Sequence, residues 1–156
     1  MRRMAGWLVG LLIVAAVAGS AWVRLAPDDP ALWHVDPLSG ASTGRPNEAR
    51  ILPQGGAADA VVSPVFAMTP EALMRRFDAA AMADARVTRL AGGTEALFAT
   101  YVQRSAMFGW PDYISVRAVA VEGGAALAVW SRSRYGYSDM GVNRARVGRW
   151  LAATSG

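Results

Sequence analysis

Cysteine and lysine are both absent from this 156-residue chain. The first absence removes disulfides, thiol nucleophiles and thiolate metal sites together. The second makes arginine the source of all sixteen basic side chains. Beside heavy use of alanine and glycine, that bias is most simply the mark of a GC-rich genome, so no arginine is evidence of a role by its identity alone. Histidine occurs once, at His34, with no acid, nucleophile or second ligand at a recognisable spacing. It is therefore read as neither base nor ligand. Excess charge is scarce too. The formal net charge is +4, but Arg2, Arg3 and Arg24 flank the first segment and leave thirteen arginines against twelve acids after it. General nucleic-acid binding loses its main support. No nucleophile–base pair and no phosphate-cradling glycine motif is visible, and no cofactor or metal is implied.

Apolar residues, in contrast, are abundant at 53%, above the globular average. They concentrate first in Ala5 to Val23, nineteen residues without a charge. As a helix this run spans about 28 Å, against roughly 30 Å for the hydrocarbon core of a bilayer. Trp7 and Trp22 lie near its ends, where amphipathic rings settle at headgroup level. An uncleaved transmembrane anchor over residues 1–24 is expected. The alternative is a signal peptide cut at Gly19-Ser20-Ala21, although signal cores are shorter. Arg2 and Arg3 favour a cytoplasmic N-terminus, which puts the rest of the chain on the outer, periplasmic side of a bacterial inner membrane. Gly6 and Gly10 form a G-x-x-x-G, a weak signal in so glycine-rich a run.

Six of the eight prolines lie between Pro27 and Pro64, mixed with Gly40, Gly44, Gly55 and Gly56. That density breaks helices and strands, so residues 25–64 read as an extended linker with local packing around Trp33. A domain is expected over residues 65–156. Thr69-Pro70-Glu71 opens a helix to about Ala83, with Leu73, Met74, Phe77, Ala80 and Ala81 on its core face. Strand-like segments follow at Arg86 to Leu90, Leu97 to Phe108, Tyr113 to Val121 and Ala126 to Tyr135. Met140 to Ala153 closes the chain as a helix, with Met140, Val147, Trp150, Leu151 and Thr154 inward. The fold expected is α+β: a four-stranded antiparallel sheet with two helices on one face, preceded by the transmembrane helix.

A Gly123-Gly124 turn pairs Arg117 with Trp130, Ser115 with Arg132 and Tyr113 with Arg134 on one face of the last hairpin. The other face, carrying Ile114, Val116, Ala118, Leu127 and Val129, receives the helices. The first face gathers three arginines among aromatic rings. It is either a solvated sheet face or a surface for stacking guanidinium groups and capturing carboxylate or phosphate. Ser138-Asp139 caps the closing helix. Asn143 falls on the apolar side, where a buried amide needs partners; it holds the preceding loop or contacts a ligand. Arg144, Arg146 and Arg149 point away from the core.

The segments "FGWPDYISVRA" (Phe108 to Ala118), "SRSRYGYSDMGVNRARV" (Ser131 to Val147) and "TRLAG" (Thr88 to Gly92) resemble the family of domain of unknown function 1499. The resemblance covers roughly Val65 to Ala153, and "RPN" (Arg45 to Asn47) resembles the family's short upstream motif. Many members carry a cysteine just after that motif, where this chain has Glu48. The resemblance singles out Pro111, Asp112, Arg132, Ser138, Asp139, Gly141, Asn143 and Arg146, and implies a membrane-anchored or exported protein without supplying chemistry. The function expected is a non-catalytic binding module for a lipid or small anionic ligand. Its candidate contacts are Asp112, Tyr113, Arg117, Arg132, Arg134, Ser138, Asp139, Asn143 and Arg146. The alternatives are a structural or interaction subunit of an envelope complex, and a hydrolase or transferase using Asp112 and Asp139 as a carboxylate pair.

Overall fold

A computed structural model describes residues 2–53 and 60–155; Gly55 and Gly56 lie outside them. Helix α1, Arg2–Leu25, holds the apolar run, and Trp7–Leu25 is long and apolar enough to cross a membrane, with a mean hydropathy of 2.0. The remainder is an α+β fold around one mixed sheet. Its elements are α2 (Pro30–Trp33), β1 (Glu48–Leu52), β2 (Val61–Val62), α3 (Pro70–Ala83), β3 (Val87–Gly93), β4 (Phe98–Arg104), β5 (Pro111–Val121), β6 (Gly124–Ser133) and α4 (Val142–Ser155).

Six strands, rather than the four expected, lie in the order β2-β1-β6-β5-β4-β3. The extra pair comes from the stretch expected to be a linker. β1 joins β6 antiparallel, from Glu48 opposite Arg132 to Ile51 opposite Val129, and β2 runs parallel to β1. The sheet is therefore mixed. Pro111 begins β5, the one interior-strand position where a missing N–H is tolerated.

The last hairpin turns at Glu122-Gly123, because Val121 pairs with Gly124. Ser115 thus faces Trp130, Tyr113 faces Arg132 and Arg117 faces Ala128, two residues out of the expected register. A slip of two preserves each side chain's face. Ile114, Val116, Ala118, Leu127 and Val129 accordingly line the core as expected.

Over that face lie α3 and α4. Thr69 accepts from the Ala72 N–H and Pro70 occupies the first turn, which fixes where α3 starts. Leu73, Met74, Phe77 and Ala81 are buried, as the periodicity requires. Trp150 of α4 meets Phe77 and Tyr101 edge-on at 5.8 and 6.1 Å between centroids, the geometry aromatic quadrupoles favour. The inward side of α4 departs from expectation at two positions. Met140 precedes the helix and is 94% exposed, whereas Arg146 is buried at 2%.

Candidate functional site

The opposite face of the sheet carries the expected arginines, and a cover laid across it buries Arg132 and leaves Arg117 and Arg134 half-buried. Residues 27–47 fold back across it. Pro30 and the Asp29 side chain, which accepts from Ala31 N–H at 2.9 Å, nucleate α2. That short turn presents Trp33 flat on Tyr113, with centroids 3.8 Å apart and planes 8° from parallel. Its neighbour His34 stacks on Phe98 at 3.9 Å, and its Nδ1 lies 2.9 Å from Thr100 Oγ1. Burial and then Arg117 lower the His34 pKa against an opposing push from Asp36. Gly40 closes the cover, since a Cβ there would come within 2.5 Å of the Trp130 ring.

Arg132 is enclosed beneath this cover at 6% exposure. Its guanidinium lies 4.0 Å from the Trp130 ring centre and 5.4 Å from that of Trp33. Nη2 donates to the Trp33 carbonyl at 2.8 Å and Nη1 to Ser115 Oγ at 3.3 Å. No carboxylate touches it among the described residues. Burial pushes its pKa down to about 10, with Glu48 opposing that shift. The group stays charged at neutral pH, solvated by ring faces and carbonyls in place of water. Arg134 reaches the Pro27 carbonyl at 3.0 Å and the Tyr113 hydroxyl at 3.3 Å. Burial and then the Asp28 contact push the Tyr113 hydroxyl up to about 12. Arg117 Nε sits 2.9 Å from Asp36 Oδ2, but its N–H is not aimed at an acceptor. The two charges meet as an ion pair without an aligned hydrogen bond.

A second cluster forms where α4 meets the ends of β5 and β6. Asn143 is fully buried, and its amide donates to Asn47 O at 3.1 Å, Ser133 Oγ at 2.9 Å and Asp139 Oδ2 at 2.7 Å. Its Oδ1 accepts from the Ser131 hydroxyl and from Arg146 Nη1. Arg146 continues to Asp112 at 2.6 Å and to Gln103. Asp139 takes the N–H groups of Gly141 at 2.9 Å and Asn143 at 2.6 Å, so it caps α4 as expected. Ser138 Oγ accepts from Met140 N–H. Asp112 and Asp139 do enter one network, but Arg146 and Asn143 stand between them. Each carboxylate is occupied in bracing the fold, Asp112 by Arg146 and Asp139 by the start of α4 and the Asn143 amide. Asn143 therefore takes the role of tying loop to strand.

Of an open concavity beside β1, sequence reasoning had named only Asp139 as a contact. A cleft of about 450 Å³ lies between β1, β2, the loop before β1 and the start of α4. Gly44, Arg45, Tyr137, Asp139, Arg144 and Val147 are among its walls. Arg45, Tyr137 and Arg144 are exposed. The two acids among its described wall residues are already engaged. Asp139 caps the helix, and Glu48 accepts from Ser42, from the N–H groups of Thr43 and Gly44 at 3.0 and 3.1 Å, and from Trp130 Nε1 at 2.9 Å. Burial would raise the Glu48 pKa, but those hydrogen bonds outweigh it and hold the carboxyl below its usual range. No carboxylate among the described residues lies within 4 Å of Arg45 or Arg144. The cleft thus has cationic walls whose nearby anions are spent internally. The signals for it were the "RPN" motif followed by Glu48, and Asp139.

The family described as protein of unknown function (DUF1499) matches residues 41–153. No curated protein and no solved structure shows significant similarity to the chain. The chain belongs to the DUF1499 family.

Proposed function

For this family member we propose a membrane-tethered, non-catalytic binding module whose cleft takes a small anionic group, a phosphate or carboxylate borne by a lipid or a metabolite. In this reading α1 is an uncleaved anchor with its N-terminus in the cytoplasm and the domain on the periplasmic side. The observation that carries the proposal is the pair Arg45 and Arg144 on the walls of an open cleft whose acids, Glu48 and Asp139, are both held by donors of their own. Guanidinium groups present paired donors that match carboxylate and phosphate oxygens, and a cleft of this size falls within the range that holds small molecules. Arg117, Arg132 and Arg134 serve the cover instead of the ligand in this reading.

Native mass spectrometry of the full chain in mild detergent, with lipid extraction alongside, tests it. An anionic lipid or metabolite is expected to co-purify with the unaltered protein and to be lost from the Arg45→Ala/Arg144→Ala variant, which is expected to melt where the ligand-stripped unaltered protein does. Ligand-free masses for both proteins, together with no rise in melting temperature on adding inorganic phosphate or glycerophosphate, would overturn the proposal.

A further inference from the structure

The loop joining β4 to β5, residues 105–110, is braced from within and clamped to the end of α1. Internally, Ser105 N–H donates to Trp110 O at 2.9 Å, Gly109 N–H to Ser105 O at 3.1 Å and Trp110 N–H to Ser105 Oγ at 3.0 Å. Externally, Arg24 Nη2 donates to Met107 O at 2.8 Å and Ser20 Oγ to Phe108 O at 3.5 Å. Arg104 Nη1 reaches Gly109 O at 3.0 Å and Val23 O at 3.5 Å, while its Nη2 pairs with Asp28 at 2.7 Å. Gly109 has φ +71°, and a Cβ there would come within 2.6 Å of Arg24 Cγ. A bare glycine is what lets the loop lie against the helix.

What this frame holds outward is apolar. Met107 is 73% exposed, and Phe108 and Trp110 are exposed with their rings stacked 5.3 Å apart. Scattered exposed apolar residues are ordinary, but a cluster held contiguous with other apolar surface is not. Here the neighbouring surface is that of α1, where Val17 and Trp22 are also exposed. Ser20 precedes Arg24 by four residues, so its contact sets Phe108 about 6 Å further along the helix axis toward the apolar run. That is the depth at which tryptophan rings and arginine heads settle between headgroup and acyl chain.

We infer that residues 107–110 dip into the bilayer interface beside α1, giving the domain a second, lipid-facing contact. This rests on α1 being a membrane span. The partner is the boundary between headgroups and acyl chains of one leaflet, and the contact fixes the domain's orientation as well as its attachment.

Because the chain has no cysteine, single cysteines can carry an environment-sensitive fluorophore without background. Full-length Met107→Cys, Leu12→Cys and Glu122→Cys would each be labelled and reconstituted in phosphatidylcholine–phosphatidylglycerol vesicles. Glu122 is exposed at the far end of β5, about 35 Å along the strand from its start. The Met107→Cys label is expected to emit to the blue, to resist iodide several-fold better than the Glu122→Cys label, and to be quenched best by shallow nitroxide lipids. The Leu12→Cys label is expected to respond to deep ones. A lipid-shielded Leu12→Cys label with an iodide-accessible Met107→Cys label would overturn the loop contact and leave the anchor standing. An iodide-accessible Leu12→Cys label would overturn both.

Discussion

On one face of the sheet, α3 and α4 set Phe77, Val147 and Trp150 over Val116, Leu127 and Val129. On the other, a segment with four helical residues and long irregular stretches sets Trp33, His34 and Gly40 over Tyr113, Phe98 and Trp130. The first face is held by interlocking apolar volume, where every methylene counts. The second is held by flat rings and guanidinium groups laid in layers, with carbonyls of the cover as acceptors. Arg132 shows the difference in kind. It would be intolerable among Leu73 and Val129, yet between two indoles it keeps its charge. A cover of this sort buries a charged group on a strand's outer side, which is why β6 is buried along nearly its whole length although Arg132 lies in it.

The contrast can be sharpened by breaking each face in turn. Phe77→Ala on the helical face is expected to cost about 3–5 kcal/mol in urea unfolding, the range for a fully enclosed phenylalanine. Asn143→Ala, at the edge where the faces meet, is expected to cost about 3 kcal/mol, because several buried partners lose their mates at once. Trp33→Ala on the cover is expected to cost only about 1–2 kcal/mol, a stacking pair plus partial burial. It would also raise the accessibility of Trp130 to acrylamide, and a loss as large as that for Phe77→Ala would erase the distinction between the two faces. The smallest effect belongs to His34. Its folded pKa lies below the unfolded value of about 6.5, so unfolding takes up a proton, and stability is full above that pH and falls as pH drops through the window beneath it. His34→Gln should flatten the slope of melting temperature in the window just below about pH 6.5. An unchanged slope would assign the acid sensitivity to other groups.

The same contrast explains what could be read in advance. The helical face was legible: period 3.6 in α3, alternation in β5 and the Thr69-Pro70 start are all local signals, and a register slip of two left the faces intact. The cover was not. "EARIL" of β1 carries two charged residues in five, inside a proline-rich stretch, because its polar side chains face Trp130 in place of water. Arg50 lies 5.3 Å from that ring and Glu48 accepts its N–H. Strand propensity cannot see a partner eighty residues away. Arg146 was placed outward for a similar reason. Only the joint presence of Gln103 from β4, Asp112 from β5 and Asn143 one turn earlier in α4 makes its burial tolerable. The cationic cleft was invisible because it exists only once β1 is set beside α4.

The pairing of β1 with β6 also imposes an order in time. Ile51 finds Val129, and Glu48 finds Arg132, across nearly the whole length of the domain. During synthesis Glu48–Leu52 emerges long before its only antiparallel partner has been made. Until β6 arrives, β1 and β2 have no strand to join and the cover has only Tyr113 and Phe98 to lie on, so the step that completes the sheet comes late and carries the entropy of closing a long loop. Deliberately slowing translation between β2 and β6 would then lengthen the life of a half-built sheet whose β6-facing edge is still open.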